Sequence, residues 1–277
     1  MERIGLIQMT SGSDVDDNLT YIEQQTELLV KLGATWVITP ENAVVFGTKE
    51  DYHTNAEPLN NGPIQHRMAQ LAIKQNVWLL IGSMPVSDSR GVMTTSVLFN
   101  PQGEIVAHYD KLHMFDVDVA DSHQRYRESE IFTPGNEVVV AETSFARIGL
   151  SICYDVRFPQ LYSELRRKEA QIITVPAAFT AVTGKAHWEA LLRSRAIETQ
   201  CWVVAVGQGG QHPCGRETWG HSMVISPWGE VVASLGKQAG SLIAEVDLDQ
   251  IEKIRLTMPI AEHSRFRNQF IEKKSDI

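Results

Sequence analysis

Three side chains able to take part in acyl transfer stand just after short apolar runs of the chain. Glu41 follows Pro40 at the end of 35–39, Lys111 follows Tyr109-Asp110, and Cys153 closes 148–152 immediately before Tyr154-Asp155. A cysteine attacks as its thiolate, so it needs a base for its proton and donors to hold the charge that develops on the substrate. A carboxylate can serve as that base, and an ammonium group can hold a tetrahedral oxyanion. None of the nine histidines stands clearly at a strand end, so the commoner pairing of cysteine with histidine finds no match. By residue type alone, Cys153 reads as a small buried hydrophobe, Glu41 as a loop carboxylate and Lys111 as a surface lysine. Their weight lies in combination, because open α/β sheets place ligand sites at the carboxyl ends of their strands.

Those ends must be supplied by an alternating chain. The apolar run 3–9 reads as a buried strand, and Leu19, Ile22, Leu29 and Leu32 then share a helical face before Gly33. After a strand at 35–39, Gly62-Pro63 opens a helix with Ile64, Met68, Leu71 and Ala72 inward, followed by a strand at 77–83. Runs 92–99 and 104–109 flank Asn100-Pro101-Gln102-Gly103 and predict a hairpin. A long polar loop leads to strands at 137–141 and 147–153, a helix at 159–168, a strand at 171–175, a helix at 185–200 and a strand at 202–207. A second hairpin turns at Pro227-Trp228-Gly229 between 222–226 and 231–234, before a strand at 241–246 and a helix at 249–257. Element order predicts a layered α/β sandwich whose two halves reuse one αββ-type unit. Cys153 then sits at a strand-turn-helix junction, the setting of a nucleophile elbow, where backbone N–H groups can also face an oxyanion.

Composition narrows the partners. With 277 residues, 43% hydrophobic and 21% charged, the chain can bury a sizeable core, and no Ser/Gly/Pro-rich linker divides it, so 1–277 is expected to be one domain. The formal charge of -9, with scattered Lys and Arg, argues against a nucleic-acid partner. No apolar run approaches the roughly 18 residues a membrane helix needs. The first 13 residues lack the features of a secretory signal, and cytoplasmic residence is the expectation. Three cysteines without paired spacing suggest neither a disulfide framework nor a metal or redox CxxC site. Cys201 heads an apolar strand and reads as inert core; Cys214, among Pro213, Gly215 and Arg216, reads as a loop thiol.

The segments around the three residues resemble the nitrilase superfamily. The matching stretches are Pro40-Glu41, Asp110-Lys111-Leu112-His113, the run from Gly149 through Cys153-Tyr154-Asp155-Val156-Arg157-Phe158-Pro159, and the run from Arg127-Glu128 to Thr133-Pro134-Gly135. The likeness continues through His187-Trp188, Arg193 to Glu198 and Trp219-Gly220-His221-Ser222, and so covers nearly the whole chain.

This resemblance implies a four-layer αββα sandwich, and a homodimer or higher homo-oligomer that extends the layers. It implies an amidase in which Glu41 is the base, Cys153 the nucleophile, Lys111 and the Tyr154 backbone N–H the oxyanion donors, and Glu128 the support for Lys111. It requires no cofactor and no metal, in agreement with the lack of His/Cys ligand spacing or a phosphate-binding glycine loop. In relatives acting on monoamides of 2-oxo-dicarboxylic acids, an arginine and a threonine matching Arg157 and Thr183 bind the substrate carboxylate; Arg157 reads equally well as a structural ion pair. Phe179 matches a pocket-lining position and reads equally well as core. His187, Trp188, Trp219 and His221 read as packing residues. The runs 184–201, 207–212 and 220–225 look most like the branch acting on deaminated glutathione, which implies hydrolysis to 2-oxoglutarate and cysteinylglycine. The alternatives are an omega-amidase acting on 2-oxoglutaramate and a nitrilase in the strict sense.

Overall fold

The first strand, β1 (Glu2–Gln8), shows how two faces are built from one run of residues. Ile4 and Leu6 point to one side and Gly5 and Ile7 to the other, as a period of two demands. The computed structural model describes residues 1–121 and 123–269; positions 122 and 270–277, which the single-domain expectation also covers, lie outside the described residues.

In chain order, α1 (Val15–Lys31), β2 (Trp36–Ile38), α2 (Lys49–Thr54), α3 (Pro63–Gln75), β3 (Trp78–Asp88), β4 (Gly91–Phe99) and β5 (Ile105–Asp110) complete most of the first half. A short ribbon follows, β6 (Asp116–Asp118) with β7 (Arg125–Arg127). The second half contains β8 (Val140–Glu142), β9 (Arg147–Leu150), α4 (Pro159–Arg167), β10 (Ile172–Ala177), α5 (Ala181–Thr199) and β11 (Trp202–Gly207). A second ribbon, β12 (Gly209–Gln211) with β13 (Glu217–Trp219), precedes β14 (Met223–Ile225), β15 (Val231–Ser234), β16 (Gly240–Val246), α6 (Asp249–Thr257) and α7 (Ile260–His263).

The strands form two six-stranded sheets, ordered β16-β1-β2-β3-β4-β5 and β15-β14-β11-β10-β9-β8. Each has a parallel centre, β1-β2-β3 or β9-β10-β11, and antiparallel wings, so the reused unit read from element order matches the topology. The departure is β16, which leaves the second half and pairs antiparallel with β1 along its whole length, from Glu2 opposite Val246 to Gln8 opposite Gly240. One face of the first sheet, with Ile4, Leu6, Trp36, Ile38, Leu80 and Leu98, packs on Ile148, Leu150 and Ile172 of the second. Its other face, with Ile7, Val37, Leu79, Ile81 and Val97, buries Leu19, Ile22 and Leu29 of α1 and Ile64, Met68 and Leu71 of α3. Leu161, Tyr162 and Leu165 of α4, with Trp188, Leu192 and Ala196 of α5, cover the second sheet. Helix, sheet, sheet and helix are thus stacked in the expected αββα order.

Local signals explain the helix ends. Asp14 caps α1 by accepting from Asp17 N at 3.0 Å, with Asp16 and Asp17 favourably placed in the first turn. Leu32, expected on the buried face, is 52% exposed because it is the C-cap, where the chain leaves the helical period toward Gly33 at φ 93°. The expected helix at 185–200 begins earlier, at Ala181, and the strand expected at 147–153 stops at Leu150. The strand expected at 137–141 is the shorter β8, and α2 and the two ribbons had no counterpart in the pattern.

One irregularity serves the site. Between β3 and β4 the register jumps from Ile81 opposite Val97 to Met84 opposite Thr95, leaving Gly82 and Ser83 in a bulge. Gly82 N donates to Thr39 Oγ1 at 2.9 Å, Ser83 N to Pro40 O at 3.2 Å, and Asn42 N to Ser83 Oγ at 2.8 Å. The bulge therefore grips the segment that carries Glu41. A Cβ on Gly82 would lie 2.1 Å from the Thr39 carbonyl oxygen and 2.5 Å from that of Pro40. Gly82→Ala should cost about 1–3 kcal/mol or more by forcing these carbonyls away, whereas Gly236→Ala, where nothing lies within 4 Å, should stay within about 0.5 kcal/mol. Urea denaturation of both variants checks this, and equal stabilities would contradict the role given to the bulge.

Candidate active site

Glu41 follows β2 by way of Thr39-Pro40 and is 3% exposed. Its Oε2 accepts from the Ala178 backbone N–H at 2.6 Å, one residue past β10 in the opposite sheet. Its own carbonyl accepts from Gln208 Nε2 at 3.0 Å, one residue past β11. One carboxylate is thereby fixed by strand ends from both sheets.

Lys111 follows β5 and is 2% exposed. Its backbone N–H donates to Thr94 O at 3.0 Å, and its carbonyl accepts from Gly135 N at 2.8 Å. Gly135 has no room for a side chain, since a Cβ would lie 2.3 Å from Asp110 O. The Lys111 ammonium donates to Glu41 Oε1 at 2.7 Å and to both Glu128 oxygens at 2.8 Å. Glu128 lies in a 3-10 turn after the β6–β7 ribbon, and Phe115 N donates to its Oε2 at 2.7 Å.

Cys153 begins a 3-10 turn, Cys153–Arg157, with φ 47°. This left-handed conformation is unfavourable for a residue with a side chain and must be held by its surroundings. The holding group is Asp155, fully buried, whose Oδ2 accepts from Ile152 N at 2.8 Å and from Tyr109 OH at 2.7 Å. Its Oδ1 accepts from His113 N at 3.2 Å and meets His113 Nδ1 at 2.7 Å. His113 stacks flat on Phe158 with ring centroids 3.6 Å apart. Asp155 thus ties the cysteine turn to Tyr109 and His113, which bracket Lys111. Tyr154 is the second residue of the turn, so its N–H has no carbonyl partner within the turn itself.

The charges decide which proton sits where. Burial alone would lower the Lys111 pKa, but the charges of Glu128, Glu41 and Cys153 outweigh it and hold the ammonium well above its ordinary value. Burial, and then the Glu41 charge, push the Cys153 thiol well above its ordinary range, against the opposing pull of Lys111. Burial likewise raises Glu128, opposed by Lys111. With two carboxylates facing one ammonium, the cluster already carries surplus negative charge, and a resting thiolate would add to it. Transfer of the thiol proton to Glu41 leaves the total unchanged, which is what a base-assisted attack requires.

These groups open onto a cavity of about 380 Å³. Glu41, Lys111, Glu128, Cys153, Tyr154, Phe179 and Thr183 all line it, so seven of the eight residues singled out in the sequence share one wall system. The eighth, Arg157, does not line it. Its guanidinium lies 5.2 Å from the Phe179 ring centroid and 5.9 Å from that of Tyr154, with His187 Nδ1 at 3.3 Å. Pattern reading missed Phe46, Tyr52, Phe115, Tyr126 and Arg216, which also line the cavity and lie on short or irregular segments without a period. Asp155 was visible in the motif, though nothing in spacing alone gave it a task. Among the other cysteines, Cys201 is buried with its thiol 3.1 Å from Ala170 O, and Cys214 is exposed. Trp188 Nε1 donates to His221 O at 2.9 Å and His221 stacks on Trp219, contacts of packing. Among the described residues no group of three or more His, Cys, Asp or Glu could hold a metal ion, and no helix is long and apolar enough to cross a membrane.

Residues 3–256 match the family model described as carbon-nitrogen hydrolase. A deaminated glutathione amidase of Yersinia enterocolitica is 44% identical over 276 residues, covering 99% of this chain and 96% of that protein. The deaminated glutathione amidase of Dictyostelium discoideum is 38% identical over 277 residues, 97% and 95% of the two chains. Among solved structures, the C. elegans NitFhit protein superposes with a TM-score of 0.87 at 35% identity over 95% of this chain, which spans 65% of that longer chain. Saccharomyces cerevisiae Nit3, described as a member of branch 10 of the nitrilase superfamily, gives 0.86 at 28% identity, covering 96% and 97%.

Two titrations test the electrostatics. Glu41→Gln removes a charge that raises the thiol, so Cys153 should ionise at lower pH than in the wild type, read as thiolate absorbance against Cys153→Ala; ionisation at an equal or higher pH would contradict the account. In the wild type the native state keeps the thiol proton above about pH 8.5, where the unfolded chain loses it, so stability should fall with rising pH by roughly 1.4 kcal/mol per unit for this one proton. Cys153→Ala should flatten that alkaline slope in denaturant titrations.

Proposed function

The chain belongs to the carbon-nitrogen hydrolase family of the nitrilase superfamily and is one of its amidases, and from that premise we propose that Cys153 hydrolyses the amide of deaminated glutathione through a thioester. The observation that carries the proposal is the Lys111 ammonium held at 2.7 Å from Glu41 and 2.8 Å from Glu128 on the wall of the cavity that also exposes the Cys153 thiol.

In this reading the thiol sulfur attacks the amide carbonyl carbon while its proton passes to Glu41. The carbonyl oxygen becomes an oxyanion facing the Lys111 ammonium and the Tyr154 N–H. Collapse breaks the carbon–nitrogen bond, and Glu41 returns the proton to the departing amine, cysteinylglycine. Water then gives a proton to Glu41 and attacks the thioester; collapse breaks the carbon–sulfur bond, releases 2-oxoglutarate, and Glu41 returns the proton to the departing sulfur, restoring the thiol. Glu128 keeps the ammonium charged and aimed. Thr183 and Phe179 shape the wall for the acyl part, and Arg157, beside the Phe179 and Tyr154 rings, is the candidate arginine for the acyl carboxylate. The substrate assignment draws on likeness to the deaminated glutathione amidases of Yersinia enterocolitica and Dictyostelium discoideum. We also propose a single catalytic domain, since Glu41, Lys111 and Glu128 come from the first half and Cys153 from the second.

Product release from deaminated glutathione, 2-oxoglutaramate and a short nitrile tests this. The highest kcat/KM is expected for deaminated glutathione, with no turnover by Cys153→Ala. Lys111→Ala should lose about 2.7–4 kcal/mol of barrier lowering, a fall of about 10²–10³ in kcat. Turnover surviving in Cys153→Ala, or a preference for the nitrile, would sink the proposal.

A further inference from the structure

Arg216 lies on the cavity wall and has no assigned task. It sits in the turn joining β12 to β13, where His212 N donates to Arg216 O at 2.8 Å and Gly215 N donates to His212 O at 2.9 Å, with Gly215 at φ 87°. The turn is anchored by His212, buried and bonded through both ring nitrogens, to Ser11 O at 2.8 Å and Thr218 Oγ1 at 2.7 Å. The Arg216 guanidinium rests 5.4 Å from the Phe46 ring centroid and 5.5 Å from that of Tyr126. These aromatic contacts position a cation without satisfying its N–H groups.

Among the described residues no carboxylate lies within salt-bridge distance of Arg216, and its side chain has no hydrogen-bond acceptor. The neighbouring charges have partners: Arg125 with Glu130 at 2.7 Å, Arg127 with Asp118 at 2.9 Å, Lys111 with Glu41 and Glu128, Glu217 with Lys237, and Lys49 with the Glu130 backbone carbonyl at 2.7 Å. An anionic substrate entering beside Glu41 and Glu128 meets surplus negative charge and needs a cation to offset it. A half-buried, aromatic-clamped guanidinium with all its donors free is suited to a planar carboxylate.

We infer that Arg216 is a further specificity residue, which receives a substrate carboxylate distant from the scissile amide. The inference rests on the reading of the Cys153 cavity as an amide-binding site. The carboxylate has two sources in deaminated glutathione: the 2-oxo acid end of the acyl half and the glycine end of the leaving half.

The test measures alkylation of Cys153 by iodoacetamide in the full chain, with glutarate or 2-oxoglutarate as protecting dianions and glutaramide as their neutral counterpart. In the wild type the dianions should protect. Arg216→Gln should require about 10–100-fold more dianion for the same protection, with glutaramide protection and melting temperature as the controls for folding. Arg216→Lys, which keeps the charge and loses the fork, should fall between. On substrates, Arg216→Gln should raise KM by a similar factor with kcat changed far less. A loss on both deaminated glutathione and 2-oxoglutaramate assigns Arg216 to the acyl-half carboxylate, and a loss on deaminated glutathione alone assigns it to the glycine carboxylate. Absent dianion protection in the wild type, or protection and KM unchanged in Arg216→Gln, overturns the inference. Arg216-dependent protection without turnover of either amide would instead overturn the proposed function and leave the anion site standing.

Discussion

The structure turns on one buried ammonium shared by two carboxylates. Removing Lys111, Glu41 and Glu128 from water is costly, and the ions remain together because each finds partners in place: Lys111 reaches both acids within 2.8 Å, Ala178 N donates to Glu41, and Phe115 N donates to Glu128. Loss of a single member would strand a buried charge, which typically costs about 3–5 kcal/mol. An arrangement so unforgiving requires a frame that cannot shift. Two packed sheets supply it, because the carboxylate after β2 is hydrogen-bonded to backbone just past β10 and the register between the sheets is fixed by a shared apolar core.

The frame also stores strain where the thiol is needed. Cys153 is held left-handed by a turn whose buried carboxylate, Asp155, accepts from the chain on both sides of Lys111, through Tyr109 and His113. Nucleophile and oxyanion donor are therefore not independent. A displacement of the Lys111 segment would pull on Asp155 and hence on the turn that aims the sulfur.

Much of this was legible in the sequence, for physical reasons that differ by element. The alternation of Ile4, Leu6 and Ile7 and the helical face of Leu19, Ile22 and Leu29 are strong periodic signals, and they place β1 and α1 correctly. The strand ends then point to Glu41, Lys111 and Cys153, while Glu128 depended on resemblance because a 3-10 turn after a three-residue strand carries no period. Leu32 misled because a cap position shares the spacing of a buried one. The return of β16 to β1 is a long-range pairing that local pattern cannot encode. Arg157 stood beside the nucleophile in sequence and lies against the Phe179 ring without itself lining the cavity, while Arg216, far away in the chain, lines it.

That contrast divides the molecule by what each part can vary. Glu41, Lys111 and Cys153 stand on segments tied into sheet ends and buried from solvent, so a change there disturbs ions that have no alternative partners. The opposite walls come from α2, the β6–β7 ribbon and the β12–β13 turn, short elements with few core residues and several exposed positions. Such segments accept substitution without unsettling the sandwich. A thiol kept neutral by burial suits the same division: it forms a thioester only when a substrate places a carbonyl where proton transfer to Glu41 and stabilisation of the oxyanion by Lys111 can occur together. Reactivity is thereby gated by fit, and fit is decided by the loops.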